Sequence, residues 1–193
     1  MNPYVPFLII LFIIFHILCT RYVFFKGRGH YHNKDVHIYD VGHNILPNFS
    51  DNKILLFMKD LATLLVLCFG FGVFTEFIEY FIVILAIRHV FITATILPQT
   101  LTDPNKDLSF KYYYYLKGHC YDKIFSGHFS ISILLSLILY HRGIIKNMNL
   151  LVLYNLFNAF LILSTHSHYT IDLLVSIPIV FLVYQNKIKL NIV

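Results

Sequence analysis

The chain has 193 residues, of which 58% are hydrophobic and only 13% charged, and its mean hydropathy is +0.68. Too few polar residues remain to cover the surface of a soluble helical bundle, so the composition excludes a soluble enzyme and points to an all-α integral membrane protein. The formal net charge of +5 suits attraction to anionic lipid headgroups. No basic helix or mixed aromatic and basic stretch lies outside the apolar runs, so nucleic acid is not an expected partner.

An α-helical crossing needs roughly 20 mainly apolar residues, and the sequence predicts six: Val5 to Phe25, Ile54 to Phe74, Ile78 to Leu97, Phe129 to Tyr140, Leu150 to Leu163, and Ile171 to Tyr184. The first is read as a retained helix and not a secretory leader, because no Lys or Arg precedes it and no small-residue cleavage site follows. The fourth and fifth reach spanning length only if the polar residues at their mouths continue the helices. No repeat, heptad or low-complexity tract interrupts the chain, which reads as one six-transmembrane-helix domain over residues 1–193.

The polar residues between the runs narrow the chemistry. Cys19, Cys68 and Cys120 give neither a metal-site spacing nor an even-numbered disulfide framework. His30, His32, His37 and His43 crowd the first loop without a carboxylate or cysteine at a ligating spacing, so a polar, partly ordered loop is the better account and no metal is expected. Asn48-Phe49-Ser50 is a glycosylation sequon too close to the second run for use. Arg88 lies inside the third run, where burial in lipid costs roughly 2.5 to 3.5 kcal/mol. Two readings of it stand level: a guanidinium that holds a phosphate oxygen or a site carboxylate, or an ion pair with Asp60 or Glu79. Lys59 is about one turn inside its run and is expected to snorkel, with no catalytic part.

The last third carries the candidate chemistry. Cys120-Tyr121-Asp122-Lys123-Ile124-Phe125-Ser126-Gly127-His128 opens the fourth run, and His166-Ser167-His168-Tyr169-Thr170-Ile171-Asp172 opens the sixth. His168 and Asp172 are four apart, so on a helix the carboxylate lies against the imidazole it could orient. Two crossings separate His128 from His168, which returns them to one face of the membrane, as two imidazoles sharing one phosphate require.

These stretches resemble the sphingomyelin synthase family, a branch of the lipid phosphate phosphatase superfamily. Cys120, Asp122, Phe125, Ser126, Gly127 and His128 match one family motif, with Tyr121 in place of a glycine. His168, Tyr169, Thr170 and Asp172 match a second. Arg88, Thr95, Leu97 and Pro98 look like a third, with Phe91 where relatives often have Thr, and Asp40, Gly42, Leu46 and Pro47 look like a weaker fourth.

The resemblance implies an enzyme that moves a phospho-alcohol headgroup (phosphocholine, phosphoethanolamine or phosphoinositol) from a glycerophospholipid to ceramide or a related lipid alcohol through a phosphohistidine, without cofactor or metal. His128, His168 and Asp172 are then catalytic, and Arg88, Asp122, Ser126, Gly127 and Tyr169 bind substrate. A lipid phosphate phosphatase is the first alternative. Those enzymes carry arginines before both histidines, however, and the segments before His128 and His168 hold none; a site poor in cations suits a diester with a single charge. A non-catalytic lipid-binding membrane protein is the second alternative, and the intact set of His128, His168 and Asp172 argues against it.

The resemblance also puts the catalytic face on the lumenal or extracellular side. The charge count does not support that cleanly, with Lys26, Arg28, Lys34, Lys106, Lys111, Lys117 and Lys123 on the catalytic side against Arg142, Lys146, Lys187 and Lys189 on the other. The catalytic-side loops are longer and their charges less dense. The oligomeric state is not legible.

Overall fold

The computed structural model describes residues 5–31, 36, 38–69, 71–98 and 121–189. Its elements are α1 (Val5–Tyr31), α2 (Val41–Ile45), α3 (Lys53–Leu64) continued by a 3₁₀ segment (Leu65–Phe69), α4 (Phe71–Ala94), α5 (Gly127–His141), α6 (Met148–Ser164) and α7 (Thr170–Gln185). No strand occurs among the described residues.

Helix starts follow from capping side chains that satisfy the first free N–H groups. Asn52 accepts from the N–H of Ile54 and Leu55 at the head of α3, Ser126 from Phe129 at α5, and Asn147 from Asn149 and Leu150 at α6. At α7 the Asp172 carboxylate reaches back to the N–H of Tyr169 at 2.9 Å. That bond serves both helix and site.

Apart from α2, the helices alternate in direction. At one end Arg142, just past α5, meets Glu76 at 2.6 Å near the start of α4, and Lys189, past α7, meets Glu79 at 2.9 Å. At the other end the N–H of Phe49 donates to the carbonyl of Ser164 at 2.7 Å. The heads of α5 and α7 therefore lie beside the tails of α4 and α6.

Helix α5 is the centre, packed on α4, α6 and α7. Phe125, Ile84, Leu134, Ile138 and Val180 are wholly buried along these contacts. Its serines allow close approach and also bond across: Ser132 Oγ donates to Asn155 Oδ1 at 2.9 Å, and Asn155 Nδ2 donates to Ser136 Oγ at 2.8 Å. Such bonds within a bilayer contribute on the order of 0.6 kcal/mol each. At the site end of α1, Gly27 is forced by packing, since a Cβ there would lie 2.3 Å from the Tyr121 ring.

The outer faces stay apolar, with Phe57 65%, Leu156 62% and Leu182 58% exposed. Residues 10–31 and 72–94 are long and apolar enough to cross a membrane. Helices α5, α6 and α7 have 15, 17 and 16 residues, which at about 1.5 Å per residue gives roughly 22 to 26 Å against a hydrocarbon core of about 30 Å.

The sequence reading of the helix mouths holds at one site and fails at the other. Gly127 and His128 do continue α5, but 165–169 form a turn with His166 at φ 51°, and α6 stops at Ser164. The second predicted run is not a single α-helix, because α3 tightens into the 3₁₀ segment after Leu64.

Candidate active site

The turn between α6 and α7 carries His168, and its ring is fixed on one side. Nδ1 lies 3.0 Å from the carbonyl of Lys123 and 3.2 Å from Asp172 Oδ2. Both partners are acceptors, so Nδ1 bears the proton and Nε2 keeps a lone pair. Asp172 is fully buried, and its second oxygen, Oδ1, has no hydrogen-bond partner among the described residues. Burial pushes the His168 pKa well below its ordinary value, and the charges of Lys123, Arg88 and His128 push the same way. The ring is therefore neutral at pH 7, as a nucleophile must be.

His128 stands in the first turn of α5, and its Nε2 lies 3.3 Å from Asp60 Oδ1 on α3. Lys59 Nζ lies 3.3 Å from the same carboxylate oxygen. Lys59 is buried, at 8% exposure; the expectation that it snorkels to the surface is not met, because its ammonium turns inward to Asp60. Among the described residues Lys59 acts on His128, Lys123 on His168 and Arg88 on both. The site is richer in cations than the missing arginines suggest.

Arg88 pairs with a site carboxylate, and that carboxylate is neither Asp60 nor Glu79. Its Nη2 lies 3.1 Å from Asp122 Oδ2 and also donates to the Asp122 carbonyl, while Nε donates to the Phe125 carbonyl at 2.8 Å. The guanidinium thus pins the segment that leads into α5. A Cβ on Gly127 would stand 3.7 Å from Arg88 Nε. Lys123 Nζ donates to the carbonyl of Ser167 at 2.8 Å, which joins this segment to the His168 turn.

Ser126 is wholly buried; it caps α5, and its carbonyl accepts from Ser176 at 3.2 Å on α7. The Tyr169 hydroxyl donates to the Pro98 carbonyl at 3.1 Å. Burial, then the charges of Asp172 and Asp40, push its pKa up to about 12, so it remains a donor. Cys120, His32 and His37 lie outside the described residues. Among the described residues no group of three or more His, Cys, Asp or Glu side chains is placed to hold a metal ion.

A buried turn joins two short apolar helices, with one neutral histidine backed by a carboxylate and a second histidine facing another; such an arrangement can offer one imidazole nitrogen for attack and a second imidazole for proton exchange. Residues 119–188 match the family model PAP2 superfamily C-terminal. The match holds both histidine stretches and little more than a third of the chain. It is consistent with the lipid phosphate phosphatase superfamily and with phosphatase or phosphotransferase chemistry. Neither the comparison with curated proteins nor that with solved structures returned a match.

Asp60, Lys59 and Lys123 are the side chains that sequence reasoning did not place at the site. Two adjacent opposite charges inside an apolar run were the available signal for the first two. For Lys123, the signal was its position between Asp122 and Ser126.

Proposed function

We propose that this chain transfers a phospho-alcohol headgroup from a glycerophospholipid to ceramide or a related lipid alcohol. The observation that carries the reading is the His168 ring, with Nδ1 committed to Asp172 and the Lys123 carbonyl and Nε2 left for attack. His168 Nε2 attacks phosphorus, and the bond to the diacylglycerol oxygen breaks as His128 gives that oxygen a proton. Asp172 stabilises the imidazolium formed on the way, and Asp60 holds the second imidazole toward the leaving group. His128 then takes the proton from the acceptor's primary hydroxyl. The oxygen attacks phosphorus, the P–N bond breaks, and His168 returns to its starting state. Lys59, Arg88 and Lys123 offset the negative charge of the transition state.

Hydrolysis of a lipid phosphate monoester is the second reading, and the three cations favour it. Arg88 and Lys123, however, already donate to Asp122 and to the carbonyls of Phe125 and Ser167. What remains suits one charge better than the roughly two of a monoester. In the proposed protein Arg88, Asp122, Ser126, Gly127 and Tyr169 shape the substrate-facing wall, and the site faces the lumen or exterior. Expression in cells lacking sphingolipid synthases, with a fluorescent ceramide supplied and the product identified by mass spectrometry, tests the proposal. A labelled sphingolipid bearing a headgroup is expected, and its absence counts against transfer.

A further inference from the structure

The turn that carries His168 is held from outside by the loop before α3. Asp40 is buried in that loop, and its two oxygens accept three hydrogen bonds. Oδ2 takes the N–H of Thr170 at 2.7 Å, while Oδ1 takes the Thr170 hydroxyl at 2.8 Å and the N–H of His43 at 3.0 Å. One carboxylate thus caps both α2 and the first turn of α7. Burial raises its pKa, but the bonds from His43 and Thr170 outweigh this and hold it below the usual carboxylate range, so it is ionised.

Two further bonds run the same way. His43 Nε2 donates to the carbonyl of His168 at 2.9 Å, and its ring stacks on His166 with centroids 4.1 Å apart. The N–H of Gly42 donates to Thr170 Oγ1 at 2.9 Å. Glycine is required there, since a Cβ would come within 2.5 Å of that hydroxyl.

The bonds fall on particular atoms. The His168 carbonyl and the Thr170 N–H belong to the two peptide groups on either side of Tyr169. Those groups are the whole link between the nucleophilic imidazole and the helix that bears Asp172. Holding both from a separate loop fixes the direction of the ring relative to its carboxylate. Displacement of a reacting group by about 1 Å costs on the order of 10²-fold in rate.

We infer that Asp40, acting through Thr170 and beside the bond from His43 to the His168 carbonyl, is a positioning residue for His168. The inference rests on His168 being the nucleophile of the proposed transfer. Its test uses full-length purified protein with phospholipid and ceramide in liposomes, comparing Asp40→Asn, Thr170→Val, Thr170→Ser and the double variant Asp40→Asn/Thr170→Val. Asp40→Asn and Thr170→Val should each lower kcat about 10- to 100-fold with KM nearly unchanged. Thr170→Ser, which keeps the hydroxyl, should stay near wild type. The double variant should be no worse than the poorer single, because both act on one network.

A readout independent of turnover accompanies these: the Nδ1–H resonance of His168 in protein labelled with ¹⁵N-histidine, assigned by its loss in His168→Ala. It should shift or broaden in Asp40→Asn and Thr170→Val and persist in Thr170→Ser. If Asp40→Asn fails to accumulate, the Thr170 pair decides alone. An unshifted resonance in Thr170→Val, or full kcat in that variant, overturns the inference. A wild-type protein with the resonance but no transfer refutes the proposed function instead, and the resonance still decides the positioning role.

Discussion

His128 Nε2 and Asp60 Oδ1 lie 3.3 Å apart, although the two residues come from helices separated by the whole of α4. The pair mirrors that of His168 with Asp172, so each imidazole has its own carboxylate. Only the second pair is close in sequence, across the head of α7, and only that one can be read from spacing.

Asp60→Asn should therefore lower transfer by roughly 10²-fold, the lower end of what a positioned general acid and base contributes. Insertion and accumulation should be unaffected. Turnover measured with purified variant in liposomes checks this, and wild-type rates would remove Asp60 from the site.

Stronger effects are expected at the other pair. His168→Ala and Asp172→Asn should abolish nearly all transfer; removal of the orienting carboxylate costs on the order of 10⁴-fold in the serine protease triad. Asp172→Asn also places an amide where the oxygen now accepts from Tyr169. Single-turnover assays that follow diacylglycerol release will measure it, and an active Asp172→Asn would show that His168 does not work through this carboxylate.

The chemistry was legible in the sequence where it is local and illegible where it depends on packing. His168 and Asp172 are four residues apart, His168 in the turn just before α7 and Asp172 in its first turn, and the apolar runs gave the helices. The destination of Arg88 was not in the pattern: its charge demanded a partner, but Asp122 is supplied by a segment that joins α4 only in the folded bundle. Lys59 was misread although its partner is its neighbour in sequence. Its depth in the run allowed an outward path, and the carboxylate of Asp60 beside it turned the ammonium inward. The apolar run to Leu163 placed the end of α6 within one residue of Ser164; that the polar residues beyond it do not continue the helix was not legible, because Thr165 to Ser167 carry no Pro or Gly and the left-handed backbone at His166 marks the break.

Acid should loosen the fold. The pKa of His168 is depressed by burial first and by neighbouring cations second, and that of His166 by burial and then His43. The unfolded chain binds protons at these histidines from about pH 6.5, where the folded chain does not, so stability falls as pH drops from 6.5 toward the depressed folded values. Asp40, whose folded pKa is lowered, adds a loss only below about pH 4. Thermal unfolding in detergent should show a midpoint several degrees lower at pH 5.5 than at pH 7.5, with a smaller drop in His166→Asn. A midpoint that rises on acidification contradicts this assignment.

Topology is checked by labelling. With Cys19, Cys68 and Cys120 replaced by serine, Tyr39→Cys on the site-side loop and Lys146→Cys between α5 and α6 should react with an impermeant maleimide from opposite sides of sealed vesicles. Tyr39 is 80% exposed, so access does not limit the reaction. Labelling of both from one side would deny the alternating passages.

The most direct test of headgroup transfer follows two products at once in liposomes that hold purified protein and a phospholipid. Ceramide should greatly accelerate diacylglycerol release, with one headgroup-bearing sphingolipid formed per diacylglycerol, and a slow release should persist without acceptor as water attacks the phosphohistidine. Phosphatidic acid should be a poor substrate. Rapid, ceramide-independent release of inorganic phosphate from phosphatidic acid would contradict the transferase account and establish the phosphatase in its place.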